Sequence, residues 1–162
     1  MSSYKTQIIA EPGKQEIFII REFDAPRELV YRAFSEAELI ANWMGPKDLK
    51  TKIEKLDNRS HGSWRFIHTR RDGFEFAFNG TIHEVCAPER IIRTFEFEGL
   101  PEKGHVSLEF LTLEALPDNR TKITIHAIFK TLMDRDGMIQ SGMERGVQEG
   151  HERLDEILKT LK

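Results

Sequence analysis

Apolar residues return at helical spacing along Thr131–Leu161 and at alternate positions between Leu49 and Lys130, and these two periods predict most of the chain. In the first stretch Ile139, Met143, Val147, Leu154, Ile157, Leu158 and Leu161 fall on one stripe, while Glu144, Arg145, Gln148, Glu152, Arg153, Glu156 and Lys159 face away. The spacing predicts one long amphipathic helix from Met133 to Leu161, roughly 40 Å long at a rise of about 1.5 Å per residue. Thr131 followed by Asp134 supplies capping chemistry for its first turn.

Gly142, Gly146 and Gly150 sit four residues apart in the same stripe, and each costs a helix interior about 1 kcal/mol relative to alanine. Two readings stand side by side: the glycines let the helix press closely on its neighbours, or they leave space beside it. The last turns carry Leu154, Ile157, Leu158 and Leu161, whereas the first half offers glycines and flexible methionines. The far end therefore reads as core and the near end as the wall of a pocket.

Ahead of this helix, residues 1–14 are a polar lead-in, and residues 15–162 are expected to form one domain. Gln15–Phe23 reads as a strand with Ile17, Ile19 and Arg21 on one face. Asp24-Ala25-Pro26 stops it, and proline suits the start of a short helix over Pro26–Phe34. A second short helix covers Glu36–Asn42 and ends at Trp43-Met44-Gly45-Pro46. Six further strands follow: Leu49–Leu56, Ser63–Arg71, Glu75–Val85, Arg90–Glu98, His105–Ala115 and Thr121–Thr131, separated by turn signals such as Asp72-Gly73 and Pro117-Asp118-Asn119. The expected fold is α+β, with a seven-stranded antiparallel sheet covered on one face by the terminal helix.

Alternation gathers Trp64, Phe66 and His68 on one face, then Phe76, Phe78, Gly80 and Ile82, then Phe95 and Phe97. Val106, Leu108 and Phe110 share a face, as do Ile123, Ile125, Ala127 and Phe129, and all of these are expected to turn towards the helix. Such rows of phenylalanine are either plain core or the lining of a cavity.

At 162 residues the chain fits one domain with a full core. Its 24 basic and 27 acidic side chains give a net charge of −3, which offers no uniformly basic surface to nucleic acid. The single Cys86 forms no intramolecular disulfide and fits a reducing compartment as a small buried hydrophobe. Met1–Gln15 lacks the apolar core of a signal peptide, and no run approaches the ~18 apolar residues of a membrane span. A cytoplasmic location without integral membrane association is expected.

The six histidines, His61, His68, His83, His105, His126 and His151, show no metal-ligand spacing, so no metal site and no cofactor are expected. No nucleophile elbow or phosphate loop occurs. Among polar residues sharing apolar faces, His68 and Arg93 are the candidates for acid/base and anion-stabilising work, and His151 borders the helical stripe.

Several stretches in order resemble one family. Phe23-Asp24-Ala25-Pro26-Arg27-Glu28-Leu29-Val30-Tyr31-Arg32-Ala33-Phe34 and Trp43-Met44-Gly45-Pro46 are similar to the opening of the START-like helix-grip superfamily, in the branch of the activator of Hsp-ninety ATPase. Gly62-Ser63-Trp64-Arg65-Phe66, Gly80-Thr81-Ile82-His83-Glu84-Val85 and Pro88-Glu89-Arg90-Ile91 resemble its middle, and Ser141-Gly142-Met143-Glu144-Arg145-Gly146 its last helix. The resemblance implies a curved sheet wrapped around the terminal helix, enclosing a cavity for a lipid, sterol, polyketide or similar molecule.

The expected function is accordingly binding or sequestration of a small hydrophobic or amphipathic ligand. Its expected lining is Trp43, Trp64, Phe66, Phe76, Phe78, Phe95, Phe97, Phe110, Ile139, Gly142, Met143, Gly146 and Val147. A cyclase or hydrolase using the same cavity and a co-chaperone module are the alternatives. The chain shows no counterpart of the eukaryotic activator's additional large domain, which disfavours a chaperone partner. Exposed sheet edges allow a homodimer.

Overall fold

Eight antiparallel strands form one sheet: β1 (Gln7–Ile9), β2 (Glu16–Phe23), β3 (Lys50–Leu56), β4 (Ser63–Thr69), β5 (Glu75–Cys86), β6 (Arg90–Phe97), β7 (Val106–Leu116) and β8 (Arg120–Phe129). Their spatial order is β1-β2-β8-β7-β6-β5-β4-β3. Four helices complete this α+β fold: α1 (Arg27–Ser35), α2 (Ala37–Trp43), α3 (Leu132–Gln140) and α4 (Met143–Leu161). The computed structural model describes residues 4–161, so residues 1–3 of the expected lead-in and Lys162 lie outside the described residues.

Two expectations about the elements are corrected. The strands number eight rather than seven, because Gln7, Ile8 and Ile9 pair with Ile20, Ile19 and Phe18 of β2. Within the stretch expected to be a lead-in, Ile8 turns inward and packs beside Ile17 and Ile19. The terminal helix is also two helices. Gly142 takes a φ of +86°, a left-handed conformation that glycine adopts without steric cost, and the Ser141 N–H donates to the Met138 carbonyl, closing the turn. Thr131 caps α3 as expected, its hydroxyl accepting from the Asp134 N–H at 3.1 Å.

Three clusters make up the core. The largest joins Phe23, Val30, Tyr31, Trp43, Leu111, Leu113, Ile123, Leu154 and Leu158, binding α1, α2 and the second half of α4 to the sheet. A second packs Met138, Ile139, Met143 and Val147 on Ile17, Ile19, Ala127 and Phe129. The third sets Ile40 and Met44 against Trp64, Phe66, Ile82, Phe78 and Phe95.

Inward and outward faces follow from the register. Glu109 lies between Arg93 and Ala127, and Leu111 between Ile91 and Ile125, so β7 turns Ser107, Glu109, Leu111 and Leu113 inward. Val106, Leu108 and Phe110 point outward, contrary to expectation. Phe110 lies 6.2 Å from the ring of His126, which itself stacks on Phe18 at 4.2 Å on the convex face. The more apolar set of alternate residues yields to the set whose charge is matched, because inward Glu109 stands opposite Arg93.

Candidate functional site

One row of cross-strand neighbours crosses the inner face from the second cluster to the third: Ile17, Ala127, Glu109, Arg93 and Ile82. Its ends are closed core, with Ile17 and Ile82 each 1% exposed, yet its middle is an ion pair whose side chains are 23% and 21% exposed. The two flanking clusters have no residue in common. Between them the Arg93 and Glu109 side chains stand partly exposed.

Arg93 is fixed by stacking more than by its ion pair. Its guanidinium lies 4.4 Å from the ring centre of Trp64 and 5.7 Å from that of Phe66, while its Nε–H donates to Glu109 Oε1 at 3.4 Å. Beyond this bond, its guanidinium has no hydrogen-bond partner among the described residues. Trp64 is held in turn. Its indole N–H spans β5 to donate to the Thr94 carbonyl of β6 at 3.1 Å, over Gly80, where any Cβ would collide with both groups.

From Trp64 a chain of rings leads along the sheet. Phe95 lies 5.9 Å from Trp64, Phe78 lies 5.3 Å from Phe95, and Phe97 lies 5.2 Å from Phe78. Phe76 follows at 6.4 Å and Phe74 at a further 5.0 Å, where the path reaches the surface with Phe74 55% exposed. Ile139, Met143 and Val147 are half-buried and pack with the second cluster.

His68 lies lower on the same face, 8% exposed, with its ring 5.3 Å from Phe78. The Thr51 hydroxyl donates to the Met44 carbonyl at 2.8 Å, so it accepts from His68 Nδ1–H, also at 2.8 Å. Burial, helped by the charge of Arg153, moves the imidazole below its ordinary pKa, which leaves it neutral at pH 7 with Nε2 as an acceptor. His68 and Arg93 are not brought together. Their partners on β5 are Phe76 and Ile82, six residues apart, or about 20 Å along a strand.

Other expected lining residues take structural places. Trp43 is 4% exposed in the main core, where its indole N–H donates to the Ala33 carbonyl at 2.8 Å. Gly142 makes the break between α3 and α4, with open space where a Cβ would stand. Gly146 faces the Pro46 ring, and Gly150 faces the backbone of Trp43 and Gly45. Phe110 is on the opposite face of the sheet. Glu109 was missed by the sequence reading; its signal was a lone carboxylate in register with Leu111 and Leu113.

His151 is 2% exposed between Phe23 and Trp43, with Nδ1 2.7 Å from the Thr6 hydroxyl. Among the described residues no group of three or more histidine, cysteine or acidic side chains is arranged to hold a metal. A depression of about 600 Å³ lined by Asp24, Pro26, Leu29, Asp118 and Asn119 lies at the end of the sheet with the β7–β8 turn and contains neither Arg93 nor Glu109.

A long antiparallel sheet packed with a C-terminal helix defines a helix-grip protein of the START-like kind. The chain belongs to the family described as activator of Hsp90 ATPase homolog 1-like protein, whose model matches residues 24–159. Solved structures with the same fold include a protein from Arthrobacter aurescens, 23% identical with a TM-score of 0.85 over 95% of this chain and 91% of that one. Another is a protein from Rhodobacter sphaeroides, 21% identical with a TM-score of 0.85 over 96% and 99%. Protein Ms6760 from Mycobacterium smegmatis is 18% identical, again with a TM-score of 0.85, over 95% and 96%. No curated protein matches the sequence. No helix of the described residues is long and apolar enough to cross a membrane.

Proposed function

We propose that this protein binds a small hydrophobic or amphipathic molecule in the groove between the inner face of the sheet and the α3–α4 segment. The observation that carries the reading is the Arg93–Glu109 pair in mid-sheet, partly exposed between two apolar clusters that share no residue. A sheet face buried only for stability would close over such a pair or replace it with apolar residues. Here the exposed guanidinium edge and carboxylate offer donors and an acceptor, and the phenylalanine path and Met143 with Val147 offer apolar walls, the usual composition of a ligand site. Membership of the family agrees with this reading. An acid/base enzyme finds less support, since His68 and Arg93 are separated along the sheet and each has its own protein partner.

Native mass spectrometry of freshly purified protein, before and after denaturing extraction, tests the proposal. A stoichiometric non-covalent adduct is expected, and Val147→Trp, which fills the groove from α4, should lose it while the protein stays folded. An adduct that survives Val147→Trp would place the ligand elsewhere. A bare chain that also fails to bind 8-anilinonaphthalene-1-sulfonate would overturn the reading.

A further inference from the structure

Arg93 and Glu109 leave most of their hydrogen-bonding capacity unused. Arg93 donates only through Nε–H, in the long bond to Glu109 Oε1, so both of its terminal NH2 groups are without a partner among the described residues. Glu109 accepts that one bond, and its Oε2 accepts none from the described residues. A third polar group stands beside them. Ser107 precedes Glu109 by one inward position on β7, between Phe95 of β6 and Phe129 of β8. It is 3% exposed, yet its hydroxyl has no hydrogen-bond partner among the described residues. A buried hydroxyl is normally bonded, so this one calls for a polar group that the chain itself does not supply.

Charge around this trio cancels. The other neighbours of the pair on the inner face of the sheet, Ile82, Ile91, Phe95, Leu111 and Ala127, are apolar, which leaves one cation and one anion among them. A carboxylate that reached Arg93 would lie against Glu109, and an ammonium group that reached Glu109 would lie against Arg93. An uncharged group with an acceptor beside a donor meets neither repulsion. Its carbonyl oxygen can accept from the terminal N–H groups of Arg93, while its own N–H or O–H donates to Glu109 Oε2 or to the Ser107 hydroxyl.

We infer that the ligand carries an uncharged polar end in which a carbonyl acceptor adjoins an N–H or O–H donor, as in a primary amide or a hydroxy ketone, and that Glu109 excludes free carboxylates. This rests on the ligand site proposed above and narrows its occupant. Phe95, the cross-strand neighbour of Ser107, begins the row that continues through Phe78 to Phe97 and offers the apolar tail a surface to lie on.

Isothermal titration of the full chain with decanamide, decanoate and decylamine at neutral pH, probes that differ in the head group, is the test. Decanamide is expected to bind about tenfold or more tighter than either ion. Glu109→Gln removes the negative charge and keeps the shape, and it should bring decanoate ahead of decanamide. Ser107→Ala changes no charge and should weaken decanamide about fivefold without altering the order of the probes. The thermal midpoint of each variant verifies folding. The inference is overturned if the wild-type chain binds the probes alike or prefers either ion, or if folded Glu109→Gln keeps decanamide first. Should Glu109→Gln not fold, an unchanged decanamide affinity in Ser107→Ala overturns it. A chain that carries a native adduct but prefers no head group fails this inference alone, whereas one with no adduct, no dye binding and no affinity for any probe fails the ligand reading with it.

Discussion

A Cβ placed on Gly150 would stand 3.1 Å from the carbonyl oxygen of Trp43 and 3.3 Å from the backbone nitrogen of Gly45. Glycine here lets α4 rest directly on the end of α2, and that contact holds the roof of the fold in place. Gly150→Val should cost about 2 kcal/mol or more, since backbone on both sides leaves no room to relax. Gly137, in the interior of α3, has open space around it, and Gly137→Ala should instead stabilise by about 0.5–1 kcal/mol. Denaturant midpoints of the two variants decide the matter; shifts of the same sign would show that close packing is not the reason for Gly150.

Acid should weaken the protein through His151. Burial, with the nearby charge of Arg21 adding to it, drops this imidazole to about 3. The unfolded chain then takes up the proton first, so stability present above about pH 6.5 is lost progressively as pH falls towards 3, on the order of a few kcal/mol in total. His68, also lowered, acts in the same direction. His151→Gln should flatten the fall of the thermal midpoint between about pH 7 and 4. Parallel curves for wild type and variant would remove His151 as the cause.

Trp43 is a structural residue, and its substitution separates stability from binding. Trp43→Phe loses the hydrogen bond to Ala33 and part of the packing with Phe34, whose ring lies 4.9 Å away, for a cost of roughly 2 kcal/mol. Dye binding at the proposed ligand site should be unchanged under conditions where the variant is folded. Impaired binding there would bring Trp43 back as a lining residue.

Gly80→Ala should be among the most damaging single-methyl changes, about 3 kcal/mol or more, because the new Cβ meets both the Thr94 carbonyl and the Trp64 indole that carries Arg93. Tryptophan fluorescence of any folded fraction is expected to shift red as Trp64 is displaced. An unperturbed spectrum with native stability would show that the indole can sit elsewhere.

The period-two pattern of β4, β5, β6 and β8 placed Trp64, Phe66, His68, Phe78, Phe95 and Ile125 on the correct face, since in these strands the apolar set is also the buried set. In β7 the two sets compete, and a carboxylate that pairs across strands belongs inside. That relationship spans two strands and is invisible within one. The break at Gly142 was hidden for a different reason. Ile139, Met143 and Val147 pack on one cluster from both sides of it, so the stripe continues in phase although the helix does not. β1 is only three residues long and owes its existence to a free edge of β2, which local sequence does not reveal.

Because the turn at Gly142 ends one hydrogen-bond ladder before the next begins, α3 can part from the sheet without unwinding α4. Its ties are few: the second cluster through Met138 and Ile139, the Arg135 guanidinium donating to the Glu11 carbonyl at 2.9 Å, and the His105–Asp134 bond at 2.8 Å. Amides of residues 135–140 are expected to exchange with solvent by local opening, while those around Leu154 and Leu158 wait for global unfolding. A single left-handed residue thus divides the C-terminal segment into two units of different stability, the weaker one resting on the second cluster.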